Sequence, residues 1–459
     1  MCCRAGKGAE GVLGEDRLRE IAEGVLGRVE ADQAEVLVTA ERSDLTRFAV
    51  NTIHQNVTER NVDVRFRVIS DKKTGVASGN DVSDEGLARL VQMAQSAASF
   101  QKENPQFVSL PGPQEITPVE GFVPATAEFT PEERAEGVNE ILAQSRKEGL
   151  RAAGAFSTEA SELLIANSLG VRAYHSGTLA NVRTVIMGDS GSGFSGQTST
   201  DVRTLDPAAV GAQAVDKALR SANPEGIEPG EYTVILEEEA VVDMLNGLRF
   251  MGFGALAYQE KRSFMSGRLG EKITGENITI WDDGHDTTGI PLPFDFEGVP
   301  KQRVMLIENG IAANVVYDSL SAGREEGKAS TGHALPSPNT MGPMPVNLFM
   351  ATGDATKEEM LAATKRGIWV TRFHYTNPLH PVKTVQTGMT RDGTFLIEDG
   401  VITKPIKNLR FTQSILDAFA KADMISSTAK LLKSMYGSFG TLAPAVRIQG
   451  FRFTGTTDF

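Results

Sequence analysis

The stretch Asn61–Ile69 limits the fold more than any other in the chain. Val62, Val64, Phe66 and Val68 alternate with Asp63, Arg65 and Arg67. A period of two puts the apolar set on one side of a strand and the charged set on the other. Such a strand belongs to a sheet with one face packed and one face wet, the habit of antiparallel sheets. Glu35–Ala40 reads as a short strand, and Thr46–Glu59 reads as extended.

Helical stripes flank these strands. Leu18, Ile21, Val25, Leu26 and Val29 predict a helix over residues 15–30, and Asp84–Phe100 is a second amphipathic stretch. Thr130, Pro131 and Glu133 form a capping box that starts a third. Strands are expected near 151–160, 162–167 and 171–176, and Asp206-Pro207 starts another helix. Five prolines between 103 and 125 mark a stiff connector, and Pro224 and Pro229 mark a linker over 223–230. The division expected is 1–102, the connector 103–125, 126–222 packing with the first segment, the linker, and 231–459.

The last segment is richer in strands. Tyr232–Leu236 and Ile368–Tyr375 read as strands, Glu239–Leu248 as a helix, and Thr356-x-x-Glu359 as a cap. Phe395 and Ile397 face Val401 and Ile402 across Asp399-Gly400, a dipeptide suited to a tight primed turn. Thr390-Arg391-Asp392-Gly393 reads as an earlier polar corner, 412–422 as a helix, and Ala445–Phe453 as a strand. Helices and strands mix without regular βαβ alternation, so the class expected is α+β.

The 46 basic residues stand against 59 acidic ones, a net charge of −13 with no compensating basic run. That argues against a direct grip on nucleic acid. No run of 18 apolar residues predicts a membrane span. Cys2 and Cys3 are the only cysteines, too close for a disulfide framework. A reducing cytoplasm is the expected compartment.

Candidate chemistry is sparse. The six histidines never fall one turn apart on a predicted helix. His374 and His380 could take a metal with Asp392 or Glu398 only by converging in space. Glu237-Glu238-Glu239 is expected to splay apart as a solvated helix start, favoured by the macrodipole. Asp282-Asp283 reads as a turn. Gly191–Gly196 is glycine-rich but lacks the lysine of a phosphate loop, and reads as a surface loop. Ser263 has no histidine nearby and no nucleophile elbow around it.

Three passages carry a resemblance. They are Val382–Leu416, Ser263-Phe264-Met265 ahead of Leu269-Gly270-Glu271, and Phe294–Val299. Together they resemble the C-terminal domain of the TldD/PmbA family, which contains metallopeptidases once described as modulators of DNA gyrase. Its catalytic chains carry a His-Glu-x-x-x-His helix that holds zinc. No His-Glu pair occurs here, and Glu239–Phe250 stands where that helix is expected. The chain is therefore similar to the PmbA (TldE) branch.

The resemblance implies a subunit with no cofactor of its own, zinc being held by a TldD-like partner. A hetero-oligomer or homodimer would present an unfolded peptide, laid as an added strand in a cleft between subunits. Ile368–Thr376 and Gly388–Ile397 could line that cleft, with Ser263, Phe264, His374, Thr376, Arg391 and Gly393 as candidate peptide-binding residues. Two other readings stay open: an autonomous metallopeptidase with a nonstandard metal site, and a binding protein without a protease partner.

Overall fold

The computed structural model describes residues 12–433 and 439–457; Cys2 and Cys3 lie outside them. The architecture is α+β, built on two sheets. The first contains β1 (Gln33–Ala49), β2 (Thr52–Ser70), β3 (Lys73–Gly79), β4 (Arg151–Asn167), β5 (Arg172–Met187) and β6 (Ser192–Ser199). Its order is β3-β2-β1-β4-β5-β6, with every neighbour antiparallel. Residues before and after the proline-rich connector thus share one continuous sheet.

Five helices serve this sheet: α1 (Glu15–Leu26), α2 (Asp84–Ser99), α3 (Pro124–Ala127), α4 (Pro131–Lys147) and α5 (Pro207–Arg220). Leu18, Ile21 and Val25 of α1 join Leu87, Leu90 and Val91 of α2 over Val64, Phe66 and Val68. Val138 and Ile141 of α4 join Val210 and Ala214 of α5 over Phe156 and Val182. The capping box at Thr130 and Glu133 forms as expected.

The extended stretch expected over Thr46–Glu59 contains a hairpin turn. Val50 and Asn51 both take positive φ, 49° and 58°. No glycine announces this turn. Asn51 secures it instead, donating to Leu150 O at 2.7 Å and accepting from Ala152 N at 2.7 Å. The glycine-rich run 191–196 is also not a loop; most of it is β6. Helix α5 lies so close on that strand that a Cβ at Gly193 would sit 2.2 Å from Ala214 O. Glycine is there for close approach rather than flexibility.

The second sheet begins with β7 (Glu231–Leu236), which delivers the chain into α6 (Glu238–Gly252). It continues through β8 (Ile280–Asp282), β9 (Val304–Glu308), β10 (Ile311–Ala312), β11 (Asn347–Met350) and β12 (Arg366–His380). Next come β13 (Val385–Glu398), β14 (Val401–Pro405), β15 (Leu409–Ser414), β16 (Ala422–Lys433) and β17 (Gly440–Thr456). Strand β17 pairs with both β15 and β7, so β7, β12, β13, β15 and β17 close on themselves. Closure removes free edges along the paired lengths. Helix α6 packs against β12 and β17.

The Asp399-Gly400 turn forms as the sequence implies, with φ of 48° and 81°. The helix expected over 412–422 does not. Strand β15 runs to Ser414, and a short helix spans only Ile415–Phe419 before β16 begins at Ala422. Its apolar run is buried by tertiary packing, with Ile415, Leu416, Ala418 and Phe419 all in the core. Thr390–Gly393 is likewise not a corner between strands. It is a bulge inside β13, where the register with β12 slips between Val370 and Arg372.

A helical acid cluster neutralised by three lysines

Strand β7 is flanked by β12 in parallel and β17 antiparallel. Its end fixes Glu237 as the residue before α6, and the first helical turn then wraps Glu238 and Glu239 around one point. Carboxylate oxygens of all three lie within 4.8 Å of one another. Glu237 and Glu238 are only 4% and 3% exposed. The solvated, splayed arrangement expected from sequence is therefore wrong. A helix start gathers consecutive side chains that an extended strand would spread, and its amide dipoles favour negative charge.

Each carboxylate meets a lysine from a different element. Lys217 Nζ of α5 lies 2.7 Å from Glu237 Oε2, Lys357 Nζ 2.9 Å from Glu238 Oε1, and Lys430 Nζ of β16 3.0 Å from Glu239 Oε1. Trp369 Nε1 also donates to Glu237 Oε1 at 2.6 Å. Burial alone would raise the Glu237 carboxyl, but Lys217 and then Lys357 outweigh it and hold it below the usual range. Buried charges persist when paired in this way.

One turn along α6, burial pushes the Asp243 carboxyl up to about 7, with Arg372 opposing and Glu239 reinforcing the rise. Arg372 Nε lies 2.7 Å from Asp392 Oδ2, and its guanidinium sits 4.7 Å over the Phe194 ring. Ser192 Oγ donates to Asp392 Oδ1 at 2.7 Å. The acid cluster and the β13 bulge thus form one polar seam against β6 and α5 of the first sheet.

The candidate residues are dispersed. Ser263 Oγ donates to Gly252 O at 2.6 Å, and Phe264 packs edge-on against Phe253 with ring centres 5.3 Å apart. Both are 1% exposed, so in this chain their side chains are packing groups under α6. His374 is exposed on β12 and Thr376 half-buried two residues on. Arg391 stands 4.0 Å from Asp392, beside the seam. Gly393 takes φ 122° inside the bulge, where a Cβ would sit 2.5 Å from Thr371 Oγ1. His374 and His380 do not converge with Asp392 or Glu398: among the described residues, Glu237, Glu238 and Glu239 form the only metal-capable group. Asp282 is no turn residue either. It is fully buried, 3.1 Å from Lys301 Nζ and 2.8 Å from His333 Nε2.

Comparison with known proteins decides the family. Residues 34–98 match PmbA/TldA metallopeptidase domain 1, residues 125–222 the central domain, and residues 229–455 the C-terminal domain. The chain belongs to the PmbA/TldD metallopeptidase family. Metalloprotease PmbA of Escherichia coli O157:H7 is 24% identical over 448 residues, covering 92% of this chain and 93% of that protein. The metalloprotease TldD homolog of Haemophilus influenzae is 25% identical over 400 residues, 80% of each chain. An uncharacterized protein of Methanocaldococcus jannaschii is 36% identical over 186 residues, 39% of this chain and 43% of its own length. TldE from Thermococcus kodakarensis shares the fold, with a TM-score of 0.87 at 21% identity, over 95% of this chain and 100% of that one.

The family's name implies a metal, and the residues at α6 do not fit zinc. Glu238-Glu239-x-x-x-Asp243 repeats the spacing of the His-Glu-x-x-x-His motif with acids at both histidine places. The donor set is all carboxylate, whereas zinc sites are built mainly from histidine and cysteine. A lysine already neutralises each of the three glutamates. Reading the motif from Glu238 rather than Glu239 would have exposed this pattern in the sequence.

Proposed function

We propose that this chain is the partner subunit, not the zinc-bearing one, of a PmbA/TldD-type proteolytic assembly. One observation carries the reading: three lysines stand against the carboxylates of a helix start that keeps the metal motif's spacing without its histidines. An ammonium supplies positive charge but cannot activate water as a Lewis acid does. In this reading a TldD-like subunit brings the zinc and the hydrolysis. This chain helps enclose an unfolded peptide whose backbone can pair as an extra strand. No nucleic acid takes part, in keeping with the net charge of −13. The assembly works in the cytoplasm, and nothing in the reading needs a membrane. Among the described residues no helix is long and apolar enough to cross one.

Elemental analysis of the purified chain tests the first half. The reading expects no stoichiometric zinc and no peptide hydrolysis by this chain alone. One zinc per chain with chelator-sensitive hydrolysis would overturn it.

A further inference from the structure

Eleven of the 15 residues of α6 are buried. The four that are not are Glu239, Asp243, Asn246 and Phe250, which follow one another at steps of four, three and four. That spacing makes a single stripe along a helix. An otherwise buried helix thus opens one line of side chains to solvent, and the line begins with two acids.

The acids around this helix start are not equivalent. Glu237, Glu238 and Glu239 each meet a lysine at 3.0 Å or less. Asp243 has no hydrogen-bond donor or ion-pair partner against its carboxylate among the described residues. The cation that acts on it from further away is Arg372, which is already engaged by Asp392, with Nε 2.7 Å from Oδ2.

Two neighbouring acceptors also lack a donor. Glu239 Oε1 takes Lys430, but its buried Oε2 has no partner. Gln386 of β13 is 3% exposed, and its Oε1 has no partner either. Its Nε2 donates to Asp243 O at 3.5 Å, which holds the side chain against α6. Its Oε1 lies over the following turn, 2.8 Å from where a Cβ on Gly247 would stand. Glycine at 247 is what lets Gln386 come so close to the stripe. Buried acceptors without donors are rare in native proteins, and a ligand that donates is one remedy.

An ammonium or guanidinium brings both positive charge and several N–H donors that fan out from one group. That suits acceptors spread along a helical turn, whereas a metal ion asks its oxygens to converge on one point. The net charge of −13 favours a cationic ligand as well. We propose that Glu239, Asp243 and Gln386 form a subsite for a cationic group of an extended peptide, either a Lys or Arg side chain or the peptide N-terminus. Glu239 and Asp243 stand where the zinc motif has its glutamate and its second histidine. The place that binds metal in a zinc chain here selects the peptide. The inference takes its peptide ligand from the partner-subunit reading and adds a preference to it.

Calorimetric titration of the full chain with short unfolded peptides tests this. Three probes are capped at both ends and share one sequence with Lys, Arg or norleucine at its centre; a fourth is the norleucine peptide with a free N-terminus. A Lys, Arg or free-amine peptide should bind about tenfold tighter than the capped norleucine peptide, the size of one charge-assisted hydrogen bond. Which probe does so separates side chain from N-terminus. Asp243→Asn should bring the ratio below about threefold without weakening the capped norleucine peptide. A thermal midpoint no lower than that of wild type checks its folding. Glu20→Gln, on α1, should leave the ratio unchanged. Four peptides bound alike overturn the proposal, as do a preference that survives in Asp243→Asn and the absence of any peptide binding. Asp243-dependent binding of Mg²⁺ that displaces the Lys peptide would also overturn it, assigning these oxygens to a hard cation. None of these titrations measures zinc or hydrolysis, so a failure here is distinct from a failure of the partner-subunit reading.

Discussion

Lys217 Nζ stands 2.7 Å from Glu237 Oε2, and this pair ties the helix over the first sheet to the start of α6 in the second. Lysine comes from the helix that covers β6; glutamate comes from the residue that starts α6. Removing one partner of such a pair leaves a buried charge uncompensated. Lys217→Met should destabilise the chain by about 3–5 kcal/mol, and Lys217→Met/Glu237→Gln by clearly less. Because Trp369 donates to the same carboxylate, its fluorescence follows the change directly. Equal losses in the single and double variants would contradict the pairing.

The pH dependence of Glu237 follows from its lowered carboxyl. A depressed folded pKa contributes stability that is present above the unfolded value and is lost as pH falls through the folded one. Acid unfolding should therefore begin at higher pH in Lys217→Met than in wild type. Urea midpoints between pH 3 and 6 decide this.

Asp243 works the other way. Its folded pKa, about 7, lies above the ordinary 3.8, so folding takes up a proton. The stability from this group is complete below the unfolded value and is lost as pH rises toward 7. Asp243→Asn should remove that loss and stabilise the chain at pH 8, by an amount on the order of a few kcal/mol. If the two proteins show the same pH profile between 4 and 8, Asp243 is not held protonated by burial.

Gly393→Ala tests the bulge in β13. Positive φ and the close Thr371 Oγ1 both oppose a Cβ there. A loss of about 1–3 kcal/mol is expected in denaturant unfolding. No loss would show that the bulge relaxes freely.

Much of this was legible in the sequence because it was written locally. The alternation of Val62 to Val68, the box at Thr130 and Glu133, and the Asp399-Gly400 turn each specify their own geometry. What escaped depended on distant partners. The Val50-Asn51 turn is held by Leu150 and Ala152, some hundred residues away. Gly193 is dictated by a helix lying on it, and the 412–422 run is parted by the strands it joins. At the site the three glutamates were visible but their lysines were not, since Lys217, Lys357 and Lys430 come from three separated segments. Ser263 and Phe264 carry part of the family resemblance, and the fold buries both side chains under α6.

Limited trypsin digestion separates two exposed segments. Residues 101–109 lack helix and strand, and Lys102 is exposed within them. The linker 223–230 is pinned where Glu225 N donates to Pro405 O and Lys407 N donates to Glu225 O. The first cut should follow Lys102. Early cuts within β2 or β13 would contradict the fold.

The central claim is tested most directly by mixing. This chain, a zinc-bearing TldD-type relative from the same organism, and the pair are assayed on an unfolded peptide, with and without chelator, after co-purification. The account predicts a stable complex, chelator-sensitive hydrolysis by the pair, and none by this chain alone. A zinc subunit that is fully active alone and never associates with this chain would contradict it.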